Sequence, residues 1–230
     1  MTGNEKREND KACIYCQSRK DMTMDHIPPK ALFPEPRPSN MITVPCCKQC
    51  NESFSKDDEY FRTIMVSSAT VYDDPNVQAV NTKLLRSMAR PEASKMATAI
   101  RKSLHVVNIK SPGGIYLGES PALKVNAKKF NRITQKIALG LFYVIRGYPV
   151  PTGYEIKCIF KDSFFSFPAD FIEHAKGFWT QPIMVGNNIF SYSYAPCIDD
   201  QNAMLFIYWF YDKLYFYGYI LPKSDVEVAQ

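Results

Sequence analysis

CIYCQSRKDMTMDHIPPK, residues Cys13 to Lys30, sets a Cys-x-x-Cys pair a few residues ahead of an Asp-His dipeptide, in a chain with three histidines. VPCCKQCN, Val44 to Asn51, carries a second such pair, Cys47 and Cys50. Five of the seven cysteines, Cys13, Cys16, Cys46, Cys47 and Cys50, crowd the first 50 residues, while Cys158 and Cys197 stand alone. In a reducing compartment, Cys-x-x-Cys spacing belongs more often to metal sites than to disulfides. Two knuckles separated by about thirty residues suit the tetrahedral thiolate site that Zn²⁺ prefers. Cys13, Cys16, Cys47 and Cys50 are therefore the expected ligands of a structural zinc ion. Cys46 could pair with Cys50 at a three-residue gap, but the two-residue spacing is the tighter knuckle, so Cys46 is read as a buried spare. Five unrelated buried cysteines are the plainer alternative, and that leaves the two knuckles unexplained.

Between the knuckles the chain reads as β-structure. MTM leads into Asp25 and His26 as a strand-like run, and Pro28 and Pro29 end any helix there. LFPEPRPSN, ending at Asn40, is a proline-spaced loop, and MITVP is a second short β-type run. Asn51 is placed to start a helix, with acidic residues in its first turns where the helix dipole favours them. The order is strand, loop, strand, helix, with zinc pinning the base of both strands to the helix start.

That order, with CIYC, DHIPPK and VPCCKQCN in sequence over residues 10–62, resembles the HNH nucleases, whose catalytic unit is a ββα-metal finger. The resemblance implies a metal-dependent endonuclease acting on nucleic acid, with DNA the expected substrate. It implies His26 as general base, and Asp25 and Asn51 as oxygen ligands of a catalytic Mg²⁺ or Mn²⁺. Asn40 corresponds to the family's middle Asn, which steadies the loop carrying the base, with Ile42 the alternative occupant of that place. Phe54 stands where the family often has Lys, and Lys56 follows two residues on. Asp57, Asp58 and Glu59 are either a solvated helix face or an addition to the metal site.

The residue types suit the reaction. Phosphodiester hydrolysis needs an activated water, neutralisation of charge on the phosphorus centre and stabilisation of the leaving 3′ oxygen. A neutral imidazole accepts a proton near physiological pH. Oxygen ligands favour Mg²⁺, whereas thiolates favour zinc, so the two metals sort by ligand type. A finger this small has almost no core of its own, which is why zinc would sit so close to the catalytic strand. His105 falls at a helix-to-strand transition and His174 on a helix surface, and neither shares this context.

The remainder, residues 63–230, is expected to be a helical segment followed by an α+β domain of unassigned role, joined to a finger over residues 1–62. Helical patterns cover DDEYFRTIMVSSATVY, NVQAVNTKLLRSMAR and PEASKMATAIRKSL. Strands HVVNIK and IYLGE flank an SPGG turn, and an amphipathic helix ends at Gly147. YEIKCIF, NNIFSYSYA, AMLFIYWFY and KLYFYGYIL form an antiparallel, aromatic-rich sheet with a hairpin turn at Asp212 and Lys213. Those aromatics are read as sheet core more than as a platform for stacking bases. The overall fold class is α+β.

Charge narrows the partner. Residues 61–130 hold 11 Lys and Arg against 4 Asp and Glu, while the segments on either side are nearly balanced. A basic segment directly after a nuclease finger suits phosphate contact. Arg86, Arg90, Arg101 and Lys102 are the main candidates, with Lys30 beside the Asp-His pair. Lys95, Lys128 and Lys129 also qualify, and solvated helix faces are the plainer reading for any one of them. The polar start, MTGNEKRENDK, lacks the apolar core of a secretory signal, and no apolar run reaches membrane-spanning length, so a cytoplasmic protein is expected. Nothing in the sequence supports a homo-oligomer or a protein partner. The alternative function is a zinc-stabilised nucleic-acid-binding or adaptor module with vestigial catalytic residues. A weaker third reading makes the C-terminal domain a sensor that restrains the nuclease, as in a phage-defence effector.

Overall fold

The computed structural model describes residues 12–91, 94–160 and 179–223, so His174 lies outside the described residues. Strand β1 (Met22–Ile27) pairs antiparallel with β2 (Ile42–Cys47), with Asp25 opposite Val44 and His26 opposite Thr43. Helix α1 (Lys48–Val66) follows β2 directly. It starts at Lys48, not at Asn51, and no acidic residue lies in its first turn. The cause is a cap from a residue whose spacing points to metal alone: Cys47 Sγ accepts the Cys50 N–H at 3.4 Å, in the manner of a Ser or Asp N-cap. Asn51 consequently sits inside the helix, where its side chain reaches back to β1.

Helix α2 (Pro75–Met88) opens with Pro75 behind an Asp74 cap, whose carboxylate accepts from the N–H groups of Asn76 and Val77. Helix α3 (Ser94–Ser103) runs into a two-stranded hairpin, β3 (Leu104–Lys110) and β4 (Tyr116–Leu123), that leaves Val106, Tyr116 and Leu117 exposed. Helix α4 (Ala127–Arg146) is bounded as its pattern requires: the Asn126 side chain accepts the Lys129 N–H, and Gly147 terminates it at φ 81°.

Five strands complete the fold: β5 (Tyr154–Phe160), β6 (Ile183–Val185), β7 (Phe190–Pro196), β8 (Met204–Phe210) and β9 (Leu214–Pro222). They form one antiparallel sheet in the order β5-β9-β8-β7-β6. Tyr211 and Asp212, at φ 53° and 54°, make the tight turn between β8 and β9. The buried sheet face is aromatic, with Tyr208 and Phe216 stacked at 5.0 Å and Phe190, Phe206 and Phe210 fully buried. These rings fill a core, as the sequence suggested.

One apolar core joins Ile27 and Val44 of the hairpin, Phe61 of α1, Ile133, Ile137 and Leu141 of α4, and the aromatic face of the sheet. The boundary expected after residue 62 falls inside α1. Helix α4 packs against both the β1–β2 hairpin and strand β5 of the sheet. A Cβ at Gly140 would overlap the Ile27 side chain, so the missing side chain is what lets α4 lie directly on β1. Lys136, one turn earlier on the same face, is thereby delivered to Asp25. The architecture is mixed α/β, with four helices and antiparallel sheets among the described residues. None of the described helices is long and apolar enough to cross a membrane.

Candidate functional site

The Sγ atoms of Cys13, Cys16, Cys47 and Cys50 all lie within 4.8 Å of one another, and Cys16 and Cys47 are 3.6 Å apart. A tetrahedron with Zn–S bonds near 2.3 Å has edges of about 3.8 Å, so four thiolates here fit one zinc ion. The first knuckle is held in place by backbone bonds: Cys13 N–H to Ser18 O at 2.8 Å, and Ile14 N–H to Pro45 O of β2 at 3.1 Å. Burial works to raise the Cys13 thiol, but backbone hydrogen bonds from Cys47, Cys16 and Tyr15 bring it down to about 7. Cys46 lies outside the cluster. It is fully buried, its thiol donates to Cys47 O at 3.3 Å, and burial pushes its ionisation well up.

A cleft of about 430 Å³ opens between β1, the short helical turn Lys30–Leu32 and α1. Asp25, His26 and Lys30 line one side. Asn51, Ser55, Asp58 and Arg62 line the other, spaced at three and four residues so that one stripe of α1 faces β1. The cleft thus brings together Asp25, His26, Asn51 and Lys30, and adds Arg62, which the sequence did not single out.

His26 is half-buried, and its ring nitrogens make no hydrogen bond among the described residues. Burial holds its ionisation below the usual histidine value, helped by the positive charges of Lys30, Arg37 and Lys136, against the opposing pull of Asp25. These influences favour the neutral, proton-accepting form of the imidazole. Asn51 donates its amide to Thr23 Oγ1 at 3.2 Å and to Met24 O at 3.4 Å, which ties α1 to β1 beside the cleft.

Asp25 is differently employed. Its side chain is 6% exposed, Oδ1 lies 3.0 Å from Lys136 Nζ, and Oδ2 accepts the Tyr15 hydroxyl at 2.8 Å. Lys136, wholly buried, also donates to both Asp58 oxygens at 3.0 and 2.9 Å. Two carboxylates face one ammonium, so the group carries an excess negative charge. The strain of that excess falls on Asp58, where burial and the charges of Asp25 and Asp57 outweigh Lys136 and raise the carboxyl to about 6. Burial and the Asp25 charge likewise push the Tyr15 hydroxyl well up, keeping it a donor. A divalent ion held by Asp25 does not fit this arrangement, because the cation already neutralising Asp25 is the Lys136 ammonium.

The acidic run after Phe54 is neither a solvated face nor a free set of ligands. Asp57 pairs with Arg132 at 2.6 Å, Asp58 with Lys136, and Glu59 with Arg62 at 3.5 Å. Phe54, standing where the family often has Lys, lies beneath Arg132 at 4.4 Å and packs against Tyr15 at 4.9 Å. Lys136 and Tyr15 escaped sequence analysis. The available signal was Lys136 itself, a charge inside the apolar stripe of Ile133, Ile137, Gly140 and Leu141.

Asn40 is not among the residues that line the cleft. Its amide donates to Met184 O at 3.1 Å and its carbonyl accepts the Gly186 N–H at 3.2 Å, which fastens the β1–β2 loop to the C-terminal sheet. Ile42 sits opposite Ile27 in the strand pair and packs on the core. Arg86, Arg90 and Arg101 line neither this cleft nor the neighbouring groove described below, whereas Lys102 lines the groove. His105 is exposed on β3, its ring 3.2 Å from Ser103 O. No family model, curated protein or solved structure matches this chain.

Proposed function

We propose that the cleft hydrolyses phosphodiester bonds in nucleic acid, with DNA the expected substrate, and that the N-terminal segment is an HNH-like ββα finger held by zinc. The observation that carries this is a half-buried His26, its ring without a hydrogen bond among the described residues, in a cleft whose other lining groups include Asn51, Lys30 and Arg62. His26 takes the proton of a water whose oxygen forms the new bond to phosphorus as the P–O3′ bond breaks, and the leaving 3′ oxygen takes a proton from solvent water. Lys30, which has no carboxylate partner among the described residues, offsets negative charge on the phosphoryl oxygens. Asn51 ties α1 to β1 and so fixes the width of the cleft. Zinc at the four thiolates supplies rigidity, holding the start of β1 to the start of α1.

The Mg²⁺ or Mn²⁺ that the resemblance implies would stabilise charge on the leaving oxygen, but it requires Asp25 to leave Lys136. That engagement of Asp25 favours one competing reading, a zinc-stabilised nucleic-acid-binding or adaptor module without catalysis. Plasmid nicking by the purified chain in Mg²⁺, in Mn²⁺ and in EDTA decides between them. Nicking in any of the three supports the hydrolase. Plasmid binding with no nicking in all three supports the adaptor.

A further inference from the structure

We propose that a lysine-lined groove beside the cleft carries the phosphate backbone of a nucleic-acid strand and delivers it to His26. The groove encloses about 710 Å³ between α1, α3, the end of β4 and the first turn of α4. Lys56, Lys95, Lys102, Lys124 and Lys129 line it, over a floor that includes Tyr60 and Met96. Five cations thus converge from four separate parts of the fold. The geometry is fixed: the Asn126 N–H donates to the Tyr60 hydroxyl at 2.8 Å, and Lys129 Nζ lies 5.5 Å over the Tyr60 ring.

The state of these charges distinguishes them from the other cations nearby. Arg62, Arg132 and Lys136 each have a carboxylate partner. Among the described residues, none of the five groove lysines has one. Glu59 is the one carboxylate among the described residues that line the groove, and Arg62 already engages it. A small anion would satisfy one or two of these lysines and leave the rest repelling one another. A polyanion with charge repeated along its length satisfies all five. Lysines are compact point charges on apolar stems, which suits contact with phosphates whatever the base sequence. The position also fits. Glu59 lines both cavities, and Ser55 faces the cleft while the next residue, Lys56, faces the groove. A strand lying in the groove therefore passes beside His26. The choice of nucleic acid as occupant rests on the hydrolase proposal above.

The test is fluorescence anisotropy of a labelled oligonucleotide against the full chain across a salt series, with and without Lys95→Gln, Lys102→Gln and Lys129→Gln together. All three are exposed, so zinc content and thermal melting should match wild type. Every phosphate that a lysine no longer neutralises lowers the slope of log affinity against log salt by ~0.7–0.9, so the triple variant should reduce that slope by about 2 to 3. Arg86→Gln, Arg90→Gln and Arg101→Gln together should leave the slope unchanged. An unchanged slope in the lysine variant overturns the proposal, as does equal competition by polyglutamate or by phosphatidylserine vesicles. Plasmid nicking run in parallel separates the two proposals. Cleavage with a slope insensitive to the groove removes the groove and keeps the hydrolase. A groove-dependent slope without cleavage keeps the groove and removes the hydrolase.

Discussion

Asp58→Asn keeps the shape of the side chain and an oxygen for Lys136, and removes one negative charge from the buried group formed with Asp25. In the folded protein the Asp58 carboxyl is raised from 3.8 to about 6. The folded state therefore binds the proton more tightly than the unfolded chain does. The stability this contributes is fully present below the unfolded value and is lost as pH rises through about 6. At ~1.4 kcal/mol per unit, the loss in wild type approaches ~3 kcal/mol near neutral pH, trimmed by the partial exposure of the carboxylate. The Asn variant mimics the protonated form at every pH. It should match wild type near pH ~4 and be more stable by up to ~3 kcal/mol above pH ~7. Urea unfolding of both proteins across that range measures the difference, and zinc loss in acid cancels because it affects both alike. A stability difference that stays flat with pH, or a variant less stable than wild type at neutral pH, would show that Lys136 and Asp58 form a balanced pair and that no excess charge is buried.

Lys136→Met strands Asp25 and Asp58 without a cation and should cost ~3–5 kcal/mol by thermal or urea unfolding, as for other broken buried pairs. Combining it with Asp58→Asn should recover part of that loss, and a purely additive double variant would argue against coupling. Cys47→Ser should release zinc and fray the start of α1, whereas Cys46→Ser should retain full zinc content by elemental analysis. Equal zinc loss in both would move the second knuckle. Because burial and nearby cations hold His26 below its ordinary value, the acid limb of the cleavage–pH profile should lie below pH 6.5. A limb above that value would assign the base to another group.

The elements were largely legible in the sequence because their signals are local. Gly147 closes α4, and Asp212 marks the β8–β9 turn. The cysteine cluster was legible because ligand spacing is a short-range property. The start of α1 was misplaced because a thiol performed the capping normally done by oxygen. The state of Asp25 was hidden for a different reason. Its partner Lys136 is far away in sequence, and the pair forms where the close approach of Gly140 to Ile27 lays α4 on β1. Asn40 shows the same limit: its partners, Met184 and Gly186, lie far along the chain in the C-terminal sheet. Composition indicated a basic middle segment. Which lysines converge depended on how α1, α3 and α4 pack.

The most direct measurement is plasmid nicking by His26→Ala beside wild type, with zinc content and oligonucleotide affinity recorded on the same preparations. His26 carries no zinc and little core surface, so folding, zinc and affinity should be retained while cleavage falls by ~10²–10⁴-fold, the drop typical of a missing general base. Cleavage by His26→Ala at the wild-type rate would contradict the assignment of this histidine, and with it the proposed chemistry of the cleft.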